Sequence, residues 1–192
     1  MDDYSDWIGR RFTREEPITR RLIDHFRVTL AGTLAEAEVP LGLHWCLAPD
    51  AVAPDLLGRD CHPRPGLFLP ALPLPRRMWA GGELMFHAPF AAGDAVTRET
   101  VIEDVAFKEG RSGRLGFVTV RHFYRVADAP RVTERQDIVY REDPKPGTAQ
   151  TPPPAEPWPG ATAWHLTPDP TLLFRFSALT FNGHRIHYDH PY

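Results

Sequence analysis

Four segments of strand-like sequence follow one another between residues 82 and 142 and constrain the fold more than any other feature of the chain. The segments are GELMFHAPF (82–90), AVTRETVIEDVAF (95–107), RLGFVTVRHFYRV (114–126) and RVTERQDIVYRE (131–142). Short links with turn-forming residues join each segment to the next, as AAGD, KEGRSG and ADAP. Because such short links join antiparallel neighbours, the pattern predicts one antiparallel sheet.

A single amphipathic helix is predicted on the amino-terminal side of the sheet, over residues 17–37. The apolar residues that fall on one helical stripe are Ile18, Leu22, Phe26 and Leu30. Pro17 suits the start of a helix. One long helix followed by a curled antiparallel sheet predicts an α+β chain of the hot-dog arrangement, in which the sheet wraps the helix. A generic α+β sandwich fits the same pattern, so periodicity alone leaves both architectures open.

Two stretches lack periodic sequence. From His44 to Arg76 the chain is rich in proline, glycine and aspartate, which predicts an irregular excursion over a folded body. Residues 143–170 hold nine of the 21 prolines and are predicted to form an extended, partly polyproline linker. The segment that follows, 171–192, is an apolar run leading into a polar cluster, and it is too short to build a core by itself.

Charge and hydropathy narrow the function classes. The 192 residues carry a net charge of −3, which gives no electrostatic case for a nucleic acid or an anionic membrane as partner. No apolar run approaches the roughly 20 residues of a transmembrane helix. The acidic amino terminus also lacks the apolar stretch of a signal peptide. These features predict a cytoplasmic protein.

The chain's isolated cysteines and histidines are predicted to be structural. Cys46 and Cys61 have no CxxC spacing, which favours reduced thiols over a disulfide framework or a zinc site. His44, His62 and His87 each stand apart from other chemically active residues in the sequence. A lone histidine is more often a satisfied structural residue than a catalyst.

Chemically active side chains are most concentrated in the last twelve residues, FNGHRIHYDHPY (181–192). The cluster contains His184, His187, Asp189 and His190. A histidine exchanges protons near neutral pH without a large pKa shift, so it suits an acid/base role. Zinc or iron binding is a second interpretation, although the spacing matches no established metal pattern. A polar surface tail is a third.

Six stretches of the chain carry a family likeness. They are DWIGRRF (6–12), LHWCLAP (43–49), LPLPRRMWAGGELMFHAPFAAGDAV (72–96), KEGRSG (108–113), DIVYRE (137–142) and LLFRFSALTFNGHRIHYD (172–189). Together they resemble the MaoC-like acyl-thioester hydratase/dehydratase family. The branch they resemble most is that of the 3-methylfumaryl-CoA (mesaconyl-CoA) hydratases and the mitochondrial 3-hydroxyacyl-thioester dehydratases.

Proteins of that branch look like tandem hot dogs, which implies a division of this chain. Residues 1–142 would form an amino-terminal hot dog, residues 143–170 the linker, and residues 171–192 the start of a second hot dog. The chain would then stop before the second repeat's central helix, which supplies oxyanion-hole amides in the family. The resemblance therefore implies a homo-oligomer or a complementary hot-dog chain as partner.

The family's signature, laid on this sequence, assigns roles to the carboxy-terminal residues. The catalytic histidine falls on His187, and the usual catalytic aspartate falls on Asn182, which cannot take a proton. Asn182 is therefore predicted to orient water or the substrate hydroxyl. Asp189 is predicted to fix the His187 tautomer or to supply the missing carboxylate. His184 and Arg185 are predicted to contact the substrate, with Arg185 pairing with a substrate carboxylate or a CoA phosphate.

The stretch PLPRRMWAGG (73–82) supplies further candidates for substrate binding. Arg76 and Arg77 could meet the CoA pyrophosphate, or line an acyl tunnel together with Met78 and Trp79. An equally good interpretation makes the prolines a rigid turn and the large apolar residues core anchors.

The resemblance implies a hydro-lyase that adds or removes water at an α,β-unsaturated acyl-CoA thioester, without a metal or redox cofactor. The expected substrate is short or branched, of the mesaconyl (3-methylfumaryl) type. The sequence contains no glycine-rich dinucleotide fingerprint or Walker motif, which agrees with cofactor-free chemistry. Two alternatives stay open: a non-catalytic hot-dog half that binds acyl thioester or pairs with a separate chain, and a thioesterase on the same scaffold.

Overall fold

The computed structural model describes residues 3–110, 113–143, 160 and 166–188. In these parts of the chain it contains one five-stranded antiparallel sheet and two α-helices. The strands are β1 (Arg11–Pro17), β2 (Arg76–Phe86), β3 (Ala95–Gly110), β4 (Gly113–Val126) and β5 (Ala129–Arg141). The helices are α1 (Arg20–Thr29) and α2 (Pro170–Leu179), and short 3₁₀ turns lie at Ser5–Trp7, Leu43–Cys46, Pro54–Leu56 and Arg185–His187.

The strand order is β1-β3-β4-β5-β2, so the three longest strands form a meander in the middle of the sheet. β3 pairs with β4 up to Gly110↔Gly113, and β4 pairs with β5 up to Val126↔Ala129. These two hairpins confirm the prediction made from their links. The link AAGD does not form a hairpin, because β2 pairs with β5 while β3 pairs with β1 and β4. The prediction that β2 and β3 are antiparallel neighbours is therefore wrong.

Helix α1 is shorter than the predicted helix over residues 17–37. Pro17 closes β1, and the Thr19 side chain caps the helix by accepting the Leu22 N–H at 3.1 Å. The helix ends at Thr29. Gly32 then takes a φ of +84°, a left-handed conformation that cannot continue a right-handed helix. The predicted apolar stripe, from Ile18 to Leu30, does pack on the core, but the predicted continuation of the helix to residue 37 was wrong.

Two hydrophobic cores form on one face of the meander. The first lies under α1 and contains Ile18, Ile23, Phe26, Val96, Tyr124 and Val132. The second lies under the excursion and contains Leu72, Leu74, Ile102, Val118, Val120 and Tyr140. The excursion between β1–α1 and β2 therefore covers the sheet, as predicted. Along β4 the buried His122 lies between the residues of the two cores.

Helix α2 packs against α1 and brings the carboxy-terminal motif to the folded body. The rings of Phe26 and Phe176 lie 6.4 Å apart, measured between centroids. The helix ends in a Schellman turn, in which the Asn182 N–H donates to the Ser177 carbonyl at 2.8 Å. Phe181 occupies the left-handed position of this turn with a φ of 51°. The turn reverses the chain directly before the predicted catalytic residues.

The division of the chain at residues 143 and 171 stays a prediction, and most of the predicted linker lies outside the described residues. No helix in the described stretches is both long enough and apolar enough to cross a membrane.

Candidate active site

The carboxy-terminal motif contacts a tight loop of the excursion, residues 57–63, which we call the His62 loop. Leu57 and Pro63 form an antiparallel bridge at its base. The Gly58 N–H donates to the His62 carbonyl at 2.7 Å, and Cys61 takes a φ of 61° at the tip. Because its own backbone closes the loop, it offers a defined surface to the motif.

The motif and the His62 loop approach each other closely at three points. The His62 and His184 rings lie 4.7 Å apart between centroids. The Tyr188 hydroxyl lies 3.7 Å from the Cys61 Sγ. At Gly183 an added Cβ would sit 3.2 Å from the Cys61 carbonyl oxygen, so a larger residue there would push the segments apart. Residues far apart in the sequence therefore meet in one site.

Asn182 and His187 form a hydrogen-bonded pair within the motif. The Asn182 Oδ1 accepts the His184 backbone N–H at 3.0 Å, which assigns the oxygen and the nitrogen of the amide. The Asn182 Nδ2 then faces the His187 Nε2 at 3.4 Å as a donor. Facing this donor, a neutral His187 would accept at Nε2 and carry its proton on Nδ1. A lone pair on Nε2 is what a general base requires.

Asp60 and Arg77 form a buried ion pair behind the His62 loop. Arg77 donates from Nε and from an η-nitrogen to the two Asp60 carboxylate oxygens, at 2.9 and 3.0 Å. The side chains are only 11% and 12% exposed. The same guanidinium donates to the Pro63 carbonyl, and Asp60 accepts the His62 N–H at 3.3 Å. Arg77 thus faces inward and ties the loop to β2.

Burial sets the protonation of the histidines at this contact. Desolvation, aided by the nearby Arg77 cation, lowers the pKa of His62 to about 4, although the Asp60 carboxylate opposes the shift. Desolvation also lowers the pKa of His184 below its ordinary value. Both imidazoles are therefore neutral at pH 7. Two neutral rings can lie against each other without the repulsion that two cations would suffer.

The other predicted site residues lie on different elements. Arg185 is half-buried in the 3₁₀ turn that also contains His187. Arg76 begins β2, opposite Arg141 of β5. Trp79 is 70% exposed on the same strand and lines a groove of about 330 Å³ together with Trp45 and Glu134. Asp189 lies outside the described residues. The structure brings together Asn182, His184 and His187, and it keeps Trp79 on the sheet edge.

Sequence reasoning missed Asp60 and His62, since both belong to an irregular stretch far from the motif along the chain. It also missed a buried polar belt between the two cores. There the Thr100 hydroxyl bonds to the His122 Nδ1 at 2.8 Å, and Trp45 Nε1 donates to Glu134 at 3.2 Å. In the described parts of the chain, no group of three or more histidine, cysteine, aspartate or glutamate side chains is placed to hold a metal ion.

The buried belt is expected to make stability depend on pH. Burial, aided by Arg98, lowers the pKa of His122 to about 3. Between about pH 6.5 and that value the unfolded chain binds a proton that the folded chain excludes, so acidification favours unfolding by up to about 1.4 kcal/mol per pH unit for this group. Between pH 6.5 and 5.5 the integrated effect is about 1 kcal/mol, because the unfolded-state histidine is already half protonated at pH 6.5. His122→Asn is expected to remove this part of the fall in unfolding free energy, measured by urea unfolding at pH 6.5 and 5.5.

The matched control for this slope is His25→Asn, on the exposed face of α1. Glu134 acts in the opposite direction, because burial raises the pKa of its carboxyl and folding then takes up a proton above pH 4.5. Equal slopes for the wild type and His122→Asn would contradict the prediction.

The order of the strands and the helix packed on their inner face are those of the hot-dog fold of MaoC-like dehydratases. HtdX of Mycobacterium tuberculosis superposes with a TM-score of 0.56 at 18% identity, over 94% of this chain and 64% of that chain. A MaoC-like dehydratase of Phytophthora capsici superposes with a TM-score of 0.56 at 12% identity, over 95% and 64% of the two chains. At these identities the likeness establishes the fold alone.

Sequence comparison identifies the family. The hydroxyacyl-thioester dehydratase type 2 model matches residues 42–192, so the chain belongs to this family and is an acyl-thioester hydratase/dehydratase, a hydro-lyase. The chain is similar to mesaconyl-C(4)-CoA hydratase of Chloroflexus aurantiacus, with 42% identity over 194 residues. That match covers 99% of this chain and 69% of the relative. The family predicted from the six sequence stretches is confirmed.

Proposed function

We propose that the chain adds water to a short, branched enoyl-CoA thioester that carries a free carboxylate, of the mesaconyl-CoA type, with His187 as the acid/base. One observation carries the assignment of the site: Asn182 and His187 face each other at 3.4 Å in the segment that resembles the family's catalytic motif. The similarity to mesaconyl-C(4)-CoA hydratase supports the substrate class.

The proposed chemistry follows from the atoms that the pair presents. The His187 Nε2 accepts a proton from water while the water oxygen bonds to the β-carbon of the enoyl thioester. The electrons of the double bond move toward the α-carbon and the thioester oxygen, and protonated His187 then returns its proton to the α-carbon, which restores the free base. In the first of these steps the water replaces the weak Asn182–His187 bond, because the single Nε2 lone pair cannot accept from the amide and from water together. Asn182 Nδ2 then donates to the water oxygen and holds it beside His187. Asp189 is proposed to fix the His187 tautomer or to supply the second carboxylate.

The proposed substrate contacts surround this pair. Arg185 precedes His187 by two residues in the same 3₁₀ turn, and its guanidinium can bind the free carboxylate through two parallel hydrogen bonds. His184 is proposed to contact the acyl group beside it. Because Asp60 already engages the Arg77 guanidinium, Arg76 and Trp79 are the better candidates for contacting the CoA portion.

The test compares mesaconyl-CoA with crotonyl-CoA, which has the enoyl thioester but no free carboxylate. Hydration is followed as loss of enoyl-thioester absorbance. We expect kcat/KM to be at least about tenfold higher for mesaconyl-CoA, the value of one charge-assisted contact. Arg185→Gln should reduce this preference while leaving the crotonyl-CoA rate nearly unchanged. Arg21→Gln, on the exposed face of α1, is the matched control.

Equal kcat/KM values for the two thioesters in the wild type would contradict the proposed substrate class. Absence of hydration with either thioester, in a folded chain, would favour the alternative of a non-catalytic hot-dog half.

We also propose that another hot dog, from a second copy or a complementary chain, covers the outer edge of β2, which pairs with no further strand in the described parts of the chain. That edge strand exposes large apolar side chains, namely Met78, Trp79, Leu84, Met85 and Phe86. A long edge of this composition favours pairing with a further strand. A hydration rate per chain that rises with chain concentration would support assembly. The cytoplasmic location stays a prediction.

A further inference from the structure

The turn that carries His187 is short. It is a 3₁₀ turn of three residues, Arg185–His187, and follows α2 after a left-handed residue. So short a turn contributes little stability by itself. The described contacts that hold it come from the end of α2 and from the His62 loop. The position of the catalytic imidazole therefore depends on a surface outside the motif.

The His62 loop is built as a fixed support. Its base is closed by the Leu57↔Pro63 bridge and by the Arg64 N–H, which donates to the Leu56 carbonyl at 2.9 Å. The Asp60–Arg77 ion pair holds the loop to β2. Because β2 belongs to the sheet, the loop is held rigidly in place. It therefore gives the carboxy-terminal motif a fixed surface to pack on.

The imidazole rings of His62, His184 and His187 form a row of contacts that leads from the loop to the proposed catalytic residue. The His62 ring lies 4.7 Å from the His184 ring, and the His184 ring lies 5.9 Å from the His187 ring, between centroids. The interplanar angles are 45° and 68°. Charged and titratable groups that act on His62 come from several elements: Asp60 on the loop, Arg77 on β2, and His184 and His187 on the motif.

We propose that His62 is a positioning residue for the hydration reaction, because its ring supports His184 and thereby holds the His187 Nε2 beside Asn182 in the productive geometry. The inference rests on the proposed function of His187. The low pKa of His62, about 4, agrees with this role, since a neutral ring can remain packed against His184 throughout the working pH range. The requirement is for a flat, uncharged ring at position 62.

Two substitutions distinguish the role of the His62 ring from the role of its nitrogen atoms. His62→Ala removes the ring and is expected to lower kcat for mesaconyl-CoA about tenfold with little change in KM, since displacement of a catalytic group by about 1 Å is enough to slow catalysis. His62→Phe keeps a flat, uncharged ring and is expected to restore most of kcat. His25→Ala, on the exposed face of α1, is the matched control.

A second readout does not depend on activity. NMR titration of the His184 ring protons should show its pKa rising in His62→Ala toward the ordinary value, because loss of the covering ring exposes the imidazole to water. The pKa should stay low in His62→Phe.

The outcomes are distinguishable. If kcat in His62→Ala equals that of the wild type, or if His62→Phe is as slow as His62→Ala in a folded chain, the positioning role is overturned. If the wild type hydrates neither thioester, the proposed function fails, while an unchanged His184 titration in His62→Ala would separately overturn the ring support.

Discussion

Replacement of His187 by alanine is expected to lower kcat for mesaconyl-CoA hydration by about a thousandfold, within the range typical of a lost general acid–base group. The physical reason is that the Nε2 lone pair, opposite the Asn182 amide, is the proposed proton acceptor for the attacking water. Substrate binding does not require this proton transfer, so KM should change little. The measurement is the steady-state rate of loss of enoyl-thioester absorbance at saturating substrate.

His25→Ala controls for the loss of a histidine as such, since His25 is exposed on α1. A His187→Ala variant that keeps more than a tenth of the wild-type rate would contradict the assignment and would point to another group as the base.

Asp60→Ala is expected to lower the free energy of unfolding by about 3 kcal/mol, because it leaves the Arg77 guanidinium buried without its counter-ion. Both side chains are nearly enclosed, at 11% and 12% exposure, so water cannot compensate for the lost partner. The change should appear in urea unfolding as a lower midpoint with a similar dependence on denaturant.

The chain supplies its own comparison for this effect. Arg59 and Asp143 form an ion pair of similar geometry, at 2.7 Å, but with side chains 56% and 45% exposed. Asp143→Ala is therefore expected to cost less than about 1 kcal/mol, the usual range for exposed pairs. Similar losses for the two variants would show that burial does not govern the strength of the Asp60–Arg77 pair.

The sequence predicted the parts of the fold that local patterns determine. β3, β4 and β5 begin and end within three residues of the predicted limits, because turn-forming residues mark the ends of these strands in the sequence. β1 was not predicted, since RFTREEP is mostly charged and becomes a strand by pairing with β3. The place of β2 at the far edge is set by pairing with β5, and no local pattern encodes that partner.

The site could be predicted only where its chemically active residues are close together in the sequence. Asn182, His184, Arg185 and His187 belong to one motif, and its histidines already suggest proton transfer. His62 gave no such signal, because an isolated histidine in a proline-rich stretch is more often structural than functional. Its proximity to the motif arises from tertiary packing. Arg77 was noticed for its charge, but its inward direction depends on Asp60, a residue seventeen positions earlier in the loop.

The meeting of the motif with the His62 loop has a consequence for how the chain folds. The contact between Tyr188 and Cys61 joins residues 127 positions apart, whereas the β3–β4 hairpin joins its strands across the short interval between Gly110 and Gly113. Loop-closure entropy rises with the number of residues enclosed, and contacts distant in sequence form slowly. The meander can therefore form first, and the motif can dock only when the His62 loop already exists. When the chain refolds, we therefore expect the sheet to form first and catalytic activity to return later, in a separate step.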